Sequence, residues 1–328
     1  MLRRWPVVAI VVAGLCLATV ATLVTAAGPI SITTGASASK PAKRLTPPGP
    51  HLGECSVFPA DNPWNQEIAS ALVHPLSQQI IANIQSAGST ALHPDFGQNQ
   101  SYGIPFVVVP ATQPAVPITY DAYGSESDPG PFPIPPNAPV EAGSDGHVLV
   151  LQQQTCQLYE LFAARRQGNG GWVAASGAKF DLTSNALRPL GWTSADAAGL
   201  PILPGLVRYD EVAAGHIDHA IRVTFSRTQN GYVLPATHAA SSSTDPTRPA
   251  MGMRLRLRAD FDVTALAGQA RVIATAMQRD GLIVADNGSN WFFQGAPDPG
   301  WNDNDLNALK GIPGTAFEVV DTGPVHAG

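Results

Sequence analysis

The sequence predicts a mainly β fold, an antiparallel β-sandwich or jelly roll with a few short helices. Only 13% of the 328 residues are charged, while glycine (31) and proline (30) are abundant, a composition typical of short strands joined by many turns. Several segments alternate apolar and polar residues at the strand period of two. Two Asn-Gly dipeptides between such segments are strong hairpin signals. No internal repeat is visible, so one domain is predicted.

The N-terminus predicts export. Arg3 and Arg4 precede the apolar run 7–24, and small residues follow it, so residues 1–27 are predicted to be a signal peptide and the protein to be secreted. The run also approaches the ~20 residues that span a bilayer, so an uncleaved anchor is the alternative and the only predicted membrane contact. Residues 28–52 have the composition of a disordered tether, which leaves residues 53–322 as the folded domain.

The net charge limits the binding partners that the sequence predicts, and the cysteine content predicts a disulfide. The net charge of -6 disfavours binding to nucleic acid or to an anionic membrane. Cys16 lies inside the apolar run and lacks the context of a lipid-attachment site. Cys55 and Cys156 remain, and in an oxidising compartment they are predicted to form a disulfide. No metal site and no cofactor are predicted; the acidic loops could hold Ca²⁺, but no EF-hand spacing indicates it.

In the first half of the chain, residues 74–88 predict an amphipathic helix, with Pro75 at its start, isoleucines on one face and Gly88 as its stop. A single helical turn is predicted at 192–196. A loop rich in proline and glycine spans 124–146. Five segments predict strands: 104–109, 117–120, 147–152, 156–164 and 172–182.

In the second half, two hairpins are predicted at the Asn-Gly dipeptides. The first pairs 216–227 with 232–238, and the second pairs 282–286 with 290–293. Perfect alternation predicts a strand at 251–258, and helical spacing predicts helices at 269–280 and 303–310. A last strand is expected at 316–320.

Candidate catalytic residues lie around the first hairpin. Within it, His219 falls among aliphatic side chains; it is either a core histidine or, in a cleft, a base near neutral pH. His238 is expected on the same face, and the parity of the strands argues against a metal site that would also include His216. Asp210 and Glu211 precede the strand and offer the carboxylates that glycoside hydrolysis requires. As neighbours on an extended segment they would point to opposite faces, and the alternative is that they pair with arginines.

Candidate substrate-binding residues lie on two other segments. Arg254 belongs to a row of three alternating arginines that, with Arg222, could bind an acidic polysaccharide or form a salt-bridged face. The loop 285–305 combines Asn287, Trp291 and Trp301, a mixture suited to sugar binding. The alternative interpretation of this loop is structural, with Asn287 in a turn and Trp291 in the core.

Two blocks carry a family resemblance: RYDEVAAGHIDHAIRVTF at 208–225 and GLIVADNGSNWFFQGAPDPGWND at 281–303. They resemble a set of uncharacterised secreted proteins from GC-rich bacteria, and the likeness covers most of residues 55–322. The resemblance implies export and a shared domain, and it assigns no catalytic residue because no activity is known for that set. Phosphate-loop, nucleophile-elbow, zinc-protease and dinucleotide motifs are not found.

These patterns predict a secreted enzyme that acts on an extracellular polysaccharide, as a glycoside hydrolase or a polysaccharide lyase. The predicted catalytic residues are His219, His238, Glu211 and Asp210. The predicted substrate contacts are Arg222, Arg254, Asn287, Trp291 and Trp301. The alternative is a non-catalytic carbohydrate-binding or cell-surface module.

Overall fold

A computed structural model describes residues 50–328 of the chain. The predicted signal peptide and most of the predicted tether lie outside the described residues. Within the described range no helix is long and apolar enough to cross a membrane. The described chain is mainly β, with several sheets and a few short helices, which confirms the predicted class at that level.

The strands and helices have the following bounds. The strands are β1 (His51–Leu52), β2 (Cys55–Ser56), β3 (His93–Asp95), β4 (Phe106–Val109), β5 (Ile118–Tyr120), β6 (Val148–Gln152), β7 (Gln157–Phe162), β8 (Arg165–Arg166), β9 (Trp172–Ala174), β10 (Ser176–Asp181), β11 (Ile221–Phe225), β12 (Gly231–Tyr232), β13 (Arg254–Leu257), β14 (Leu282–Asn287), β15 (Phe292–Gln294), β16 (Phe317–Val320) and β17 (His326–Ala327). The helices are α1 (Ser77–Gln85), α2 (Tyr209–Ala214), α3 (Gly268–Arg279) and α4 (Asp303–Ala308).

Two sheets organise the chain. A six-stranded sheet has the order β16-β13-β14-β11-β15-β3, and a four-stranded sheet has the order β10-β7-β6-β4. Both are mixed, because β11 runs parallel to β14 and β4 runs parallel to β6. The expectation of purely antiparallel sheets is therefore wrong. A parallel pair needs a crossover connection, and α3 lies in the one that joins β11 to β14.

Both predicted hairpins are wrong. β11 lies between β14 and β15, whereas β12 pairs with β17 at the end of the chain. β14 and β15 do not pair with each other but flank β11 on its two sides. The Asn-Gly signal is local, and it was outweighed by burial: every residue of β11 is buried, which is typical of a central strand covered on both faces.

Side chains on the two faces of the four-stranded sheet belong to different hydrophobic clusters. Leu149 and Leu151 of β6 face the main core, which also contains the six-stranded sheet. Val148 and Val150 face a second cluster, shared with Trp172 of the three-stranded sheet β5-β9-β8. Because strand side chains alternate, β6 contributes to both clusters at once.

The predictions for individual elements hold best where a periodic pattern of apolar residues extends over many positions. α1, α3 and α4 confirm the three predicted longer helices, and Ile80, Ile81 and Ile84 of α1 are buried as expected. The helical turn predicted at 192–196 is wrong, since that segment is irregular. The segment of Asp210 and Glu211, expected to be extended, is the first turn of α2.

The predicted disulfide between Cys55 and Cys156 is confirmed. It links β2 to the turn before β7 across a sequence separation of 101 residues. Among the described residues, β1 begins at His51, and His326 of β17 pairs with Tyr232. Both strands lie outside the predicted domain bounds of 53–322.

Candidate active site

The irregular segment 193–198 connects the two large sheets. The carbonyl of Ser194 accepts a hydrogen bond from Ser176 Oγ of β10 at 2.7 Å, and the amide of Ala198 donates to the carbonyl of Ala285 in β14 at 3.0 Å. His147, which immediately precedes β6, places its Nε2 3.1 Å from the carbonyl of Ala195. Hydrogen bonds therefore reach this segment from both sheets.

Asp196 is the charged residue of this segment, and it is 1% exposed. It accepts two hydrogen bonds from Arg222 of β11, from Nε at 3.0 Å and from Nη2 at 2.7 Å. Arg222 also donates from Nη1 to Gln294 Oε1 at 2.6 Å. Such a bidentate pair compensates for the loss of hydration of both charges. Burial alone would lower the pKa of Arg222, but Asp196 outweighs it and raises that pKa.

Asp286, at the end of β14, is a second carboxyl beside Asp196. The register of β11 and β14 skips Ala285, so that Asp286 pairs with Thr224, a bulge that changes the direction of the following side chain. Asp286 is half-buried. Burial, followed by the repulsion of Asp196, raises the pKa of Asp286 to about 7. We call Asp196, Arg222 and Asp286 the Asp286 cluster.

His238 lies next to this cluster. Its Nδ1 is 2.7 Å from the carbonyl of Ala197, and because a carbonyl only accepts, Nδ1 carries the hydrogen. The neutral ring therefore keeps its lone pair on Nε2, which lies 4.0 Å from Glu126 Oε2. The His238 side chain is 27% exposed, so solvent reaches this ring.

His147 and Glu141 form an ion pair beneath the same segment. His147 Nδ1 is 2.5 Å from Glu141 Oε2, and its Nε2 faces the Ala195 carbonyl. Burial alone would lower the pKa of His147, but Glu141 outweighs it and the pKa is raised. Because His147 is 4% exposed, it supports the segment rather than contacting a substrate.

A second polar cluster lies at the start of α2, and we call Arg208, Glu211 and His219 the Arg208 cluster. Arg208 Nη2 forms an ion pair with Glu211 Oε1 at 2.6 Å, and His219 Nε2 lies 3.1 Å from Glu211 Oε2. Burial alone would raise the pKa of Glu211, but His219 and Arg208 outweigh it and hold the pKa below its usual value.

The structure separates the four predicted catalytic residues. Asp210, Glu211 and His219 lie in or beside the Arg208 cluster, while His238 lies by the Asp286 cluster. His219 is fully buried, and its Nδ1 contacts the carbonyl of Ala220 at 2.8 Å. It is therefore the satisfied core histidine that the sequence left open, and its ring has no surface on which to meet a substrate.

The predicted substrate contacts are mostly interior. Trp291 is 0% exposed and Trp301 is 2% exposed, so neither ring is free to stack on a sugar, and both fill the core. Arg254 donates to the carbonyls of Pro63 and Asp280, and burial lowers its pKa to about 10. Asn287 is exposed, but its amide donates to the Ala240 carbonyl at 2.8 Å.

Sequence reasoning missed Asp196, which it interpreted as part of a helical turn, and it did not name Asp286 among the catalytic residues. A signal was present: Asp196 is the single charge in the stretch 189–207. A lone charge among alanine, glycine and leucine is typical of a buried, paired group. Its partner could not be inferred, because Arg222 reaches it through tertiary packing.

Comparison with protein-family models, with curated proteins and with solved structures found no match for this chain. Within residues 50–328, no three histidine, cysteine or acidic side chains converge to hold a metal ion. The functional argument therefore starts from the geometry of the two clusters.

Proposed function

We propose that this protein is a secreted glycoside hydrolase that acts on an extracellular polysaccharide, with Asp286 as the general acid. One observation carries the proposal: a half-buried carboxyl with a pKa of about 7 lies beside a second acidic side chain, Asp196, which is paired with Arg222. Carboxyl pairs whose environments separate their pKa values are typical of acid–base catalysis. Asp196 is paired with Arg222 and acts as a positioning residue.

In the proposed reaction, Asp286 gives its proton to the glycosidic oxygen as the bond from that oxygen to the anomeric carbon breaks. A water molecule attacks the anomeric carbon and transfers a proton to His238 Nε2. Glu126 stabilises the imidazolium that forms. The proton then returns from His238 to Asp286 through solvent, so that one water is consumed and both groups are restored.

Hydrolysis is favoured over elimination because the nearby arginine side chains are already bound by protein groups. A lyase needs a free cationic group to neutralise the substrate carboxylate. Arg222 is held by Asp196 and Gln294, and Arg188 donates to Asp128 and to the carbonyls of Glu126 and Thr193. Among the described residues around Asp286, these guanidiniums already have protein partners.

Two coarser findings support export and the expected architecture. The disulfide suits an oxidising compartment, in agreement with a signal peptide at residues 1–27. The four-stranded and three-stranded sheets line the second hydrophobic cluster from two sides, which supports a small β-sandwich in that part of the molecule.

The first test is product analysis by mass spectrometry after incubation of the protein with a panel of neutral and acidic polysaccharides. We expect fragments that carry one added water, at a rate that declines above pH ~7 as Asp286 ionises. Asp286→Asn removes the acid and is expected to lower the rate about 10²- to 10⁴-fold. Asp260→Asn, on an exposed carboxylate paired with Arg258, is the matched control and should retain the rate.

Three outcomes would reject the proposal. Fragments that lack the added water would establish a lyase. Retention on one polysaccharide without any fragments would establish the binding module. An Asp286→Asn variant as active as the Asp260→Asn control would show that the acid lies elsewhere.

A further inference from the structure

A cavity of about 590 Å³ opens beside the Arg208 cluster. Its volume lies within the ~300–1,000 Å³ typical of small-molecule sites. The apolar part of its wall consists of Leu52, Pro105, Phe106, Pro139, Val140, Ala296 and Pro297. The polar part consists of Gln100, Arg208, Tyr209, Asp210 and Asp298.

Arg208 is the unusual member of this wall. Its guanidinium is 1% exposed, yet Nε and Nη1 are buried and have no hydrogen-bond partner. Only Nη2 is used, by Glu211 and by the carbonyl of His51 at 3.2 Å. Nε lies 3.4 Å from Asp210 Oδ1 but makes no hydrogen bond with it. A buried donor without a partner is costly, and a ligand in the cavity could accept from it.

The charges around the cavity select the kind of ligand. The positive charge of Arg208 is already offset by Glu211, and two further carboxylates, Asp210 and Asp298, line the wall. An anionic ligand would be repelled by both carboxylates. A neutral hydroxylated ligand satisfies every group, because a hydroxyl accepts from Arg208 and Gln100 and donates to the carboxylates. The proline and Phe106 surfaces suit the apolar face of a sugar ring.

We propose that this cavity binds a neutral saccharide, with Arg208 and Asp210 as its principal polar contacts. The site is separate from the Asp286 cluster, and the inference does not depend on Asp286 being catalytic. It assigns the Arg208 cluster to binding, which explains why Glu211 is held ionised: the carboxylate fixes the guanidinium in place and leaves two of its nitrogens free.

The test is isothermal titration calorimetry of the purified protein with cellohexaose, xylohexaose, mannohexaose and maltohexaose as neutral probes and hexagalacturonate as the acidic probe. We expect at least one neutral probe to bind. Arg208→Lys keeps the charge beside Glu211 but removes the unpaired nitrogens, and it should weaken binding at least about tenfold. A thermal melt checks that this variant is folded.

Asp210→Ala provides a second variant that does not endanger the fold, because its side chain is 62% exposed. It should also weaken binding of the neutral probe. Asp260→Ala is the matched control, since both aspartates follow a paired arginine by two positions, and it should bind as the wild type does. Asp286→Asn should retain binding even if it abolishes hydrolysis, which separates this proposal from the catalytic one.

Other results would overturn the inference. If only hexagalacturonate binds, the cavity takes an anion. If no probe binds at millimolar concentration, or if Arg208→Lys and Asp210→Ala both bind as tightly as Asp260→Ala does, the cavity is not a saccharide site.

Discussion

The Asp286 cluster and the Arg208 cluster use the same kinds of residue but hold their protons differently. Each has a buried arginine in an ion pair with a carboxylate. In the first, Arg222 forms its ion pair with Asp196, and burial followed by the repulsion of Asp196 raises the pKa of Asp286 to about 7. In the second, Glu211 lies beside both His219 and Arg208, which hold its pKa below the usual value, and Arg208 also lies 3.4 Å from Asp210. The local count of opposite charges decides which carboxyl can carry a proton near neutral pH.

This difference suggests a division of labour. A carboxyl that is protonated near pH 7 can donate a proton to a leaving group, whereas one that is ionised at that pH can only accept hydrogen bonds and orient its partners. We therefore place the chemistry at Asp286 and the ligand contacts at Arg208. Changing the number of charged groups in either cluster should shift the pKa of its carboxyl toward the pKa found in the other cluster.

The largest effect is expected from Arg222→Ala. This variant leaves Asp196 buried without its cation, and we expect the free energy of unfolding at pH 7 to fall by about 3–5 kcal/mol. Urea unfolding monitored by tryptophan fluorescence measures it. Arg258→Ala, which breaks an exposed ion pair, is the control and should cost under ~1 kcal/mol. Equal losses in the two variants would contradict the assigned role of Arg222.

A smaller effect is expected from Glu211→Gln, which leaves Arg208 facing a neutral amide. The folded-state pKa of Glu211 is lowered, so its ionised form contributes stability above the unfolded-state pKa of ~4.3, and this contribution is lost as the pH falls through the folded value. We expect the variant to be less stable by about 2–3 kcal/mol at pH 7. The difference should shrink in acid, as urea unfolding at pH 7 and pH 3 would show. A constant difference would argue against an ionised Glu211.

The smallest effect, and one of opposite sign, is expected from Asp286→Asn. The folded-state pKa of Asp286 is raised, so its contribution to stability is complete below the unfolded-state pKa of ~3.9 and is lost as the pH rises toward 7. Relative to the wild type, the variant should therefore gain about 1–2 kcal/mol between pH 5 and pH 7. Chemical denaturation at the two pH values measures this gain. If the stability difference between the variant and the wild type does not change with pH, the pKa of Asp286 is not raised, and Asp286 is not the general acid.

The sequence predicted best those features that depend on local pattern over many residues. α1 and α3 follow from isoleucine, alanine and methionine at helical spacing, because one apolar face must be buried whatever lies opposite. The pairing of Cys55 with Cys156 follows from the predicted oxidising compartment and from the fact that only these two cysteines remain after the predicted signal peptide. Predictions failed where a local signal had to select a distant partner, as at Asn230-Gly231, whose flanking strands pair elsewhere.

The candidate site was predicted only in part, for the same reason. Arg222 and His238 were singled out by residue type and strand position. Asp196 and Asp286 were not: the isolated charge of Asp196 indicates a buried, paired group, but the sequence does not show that the two carboxyls lie beside each other after folding. Trp291 and Trp301 show the opposite case. The composition of the loop 285–305 suggested that they bind sugar at the surface, but packing places both rings in the core.

The sequence by itself determined the strand-rich class, the helices with long periodicity and the disulfide, because each depends on composition, period or residue count. The tertiary structure decided which strands are neighbours, which charges are buried and which carboxyl holds a proton near pH 7. Those properties depend on distances between residues far apart in the chain. Asp286 and Asp196 are separated by ninety positions in the numbering and interact only because β14 and the segment 193–198 pack together.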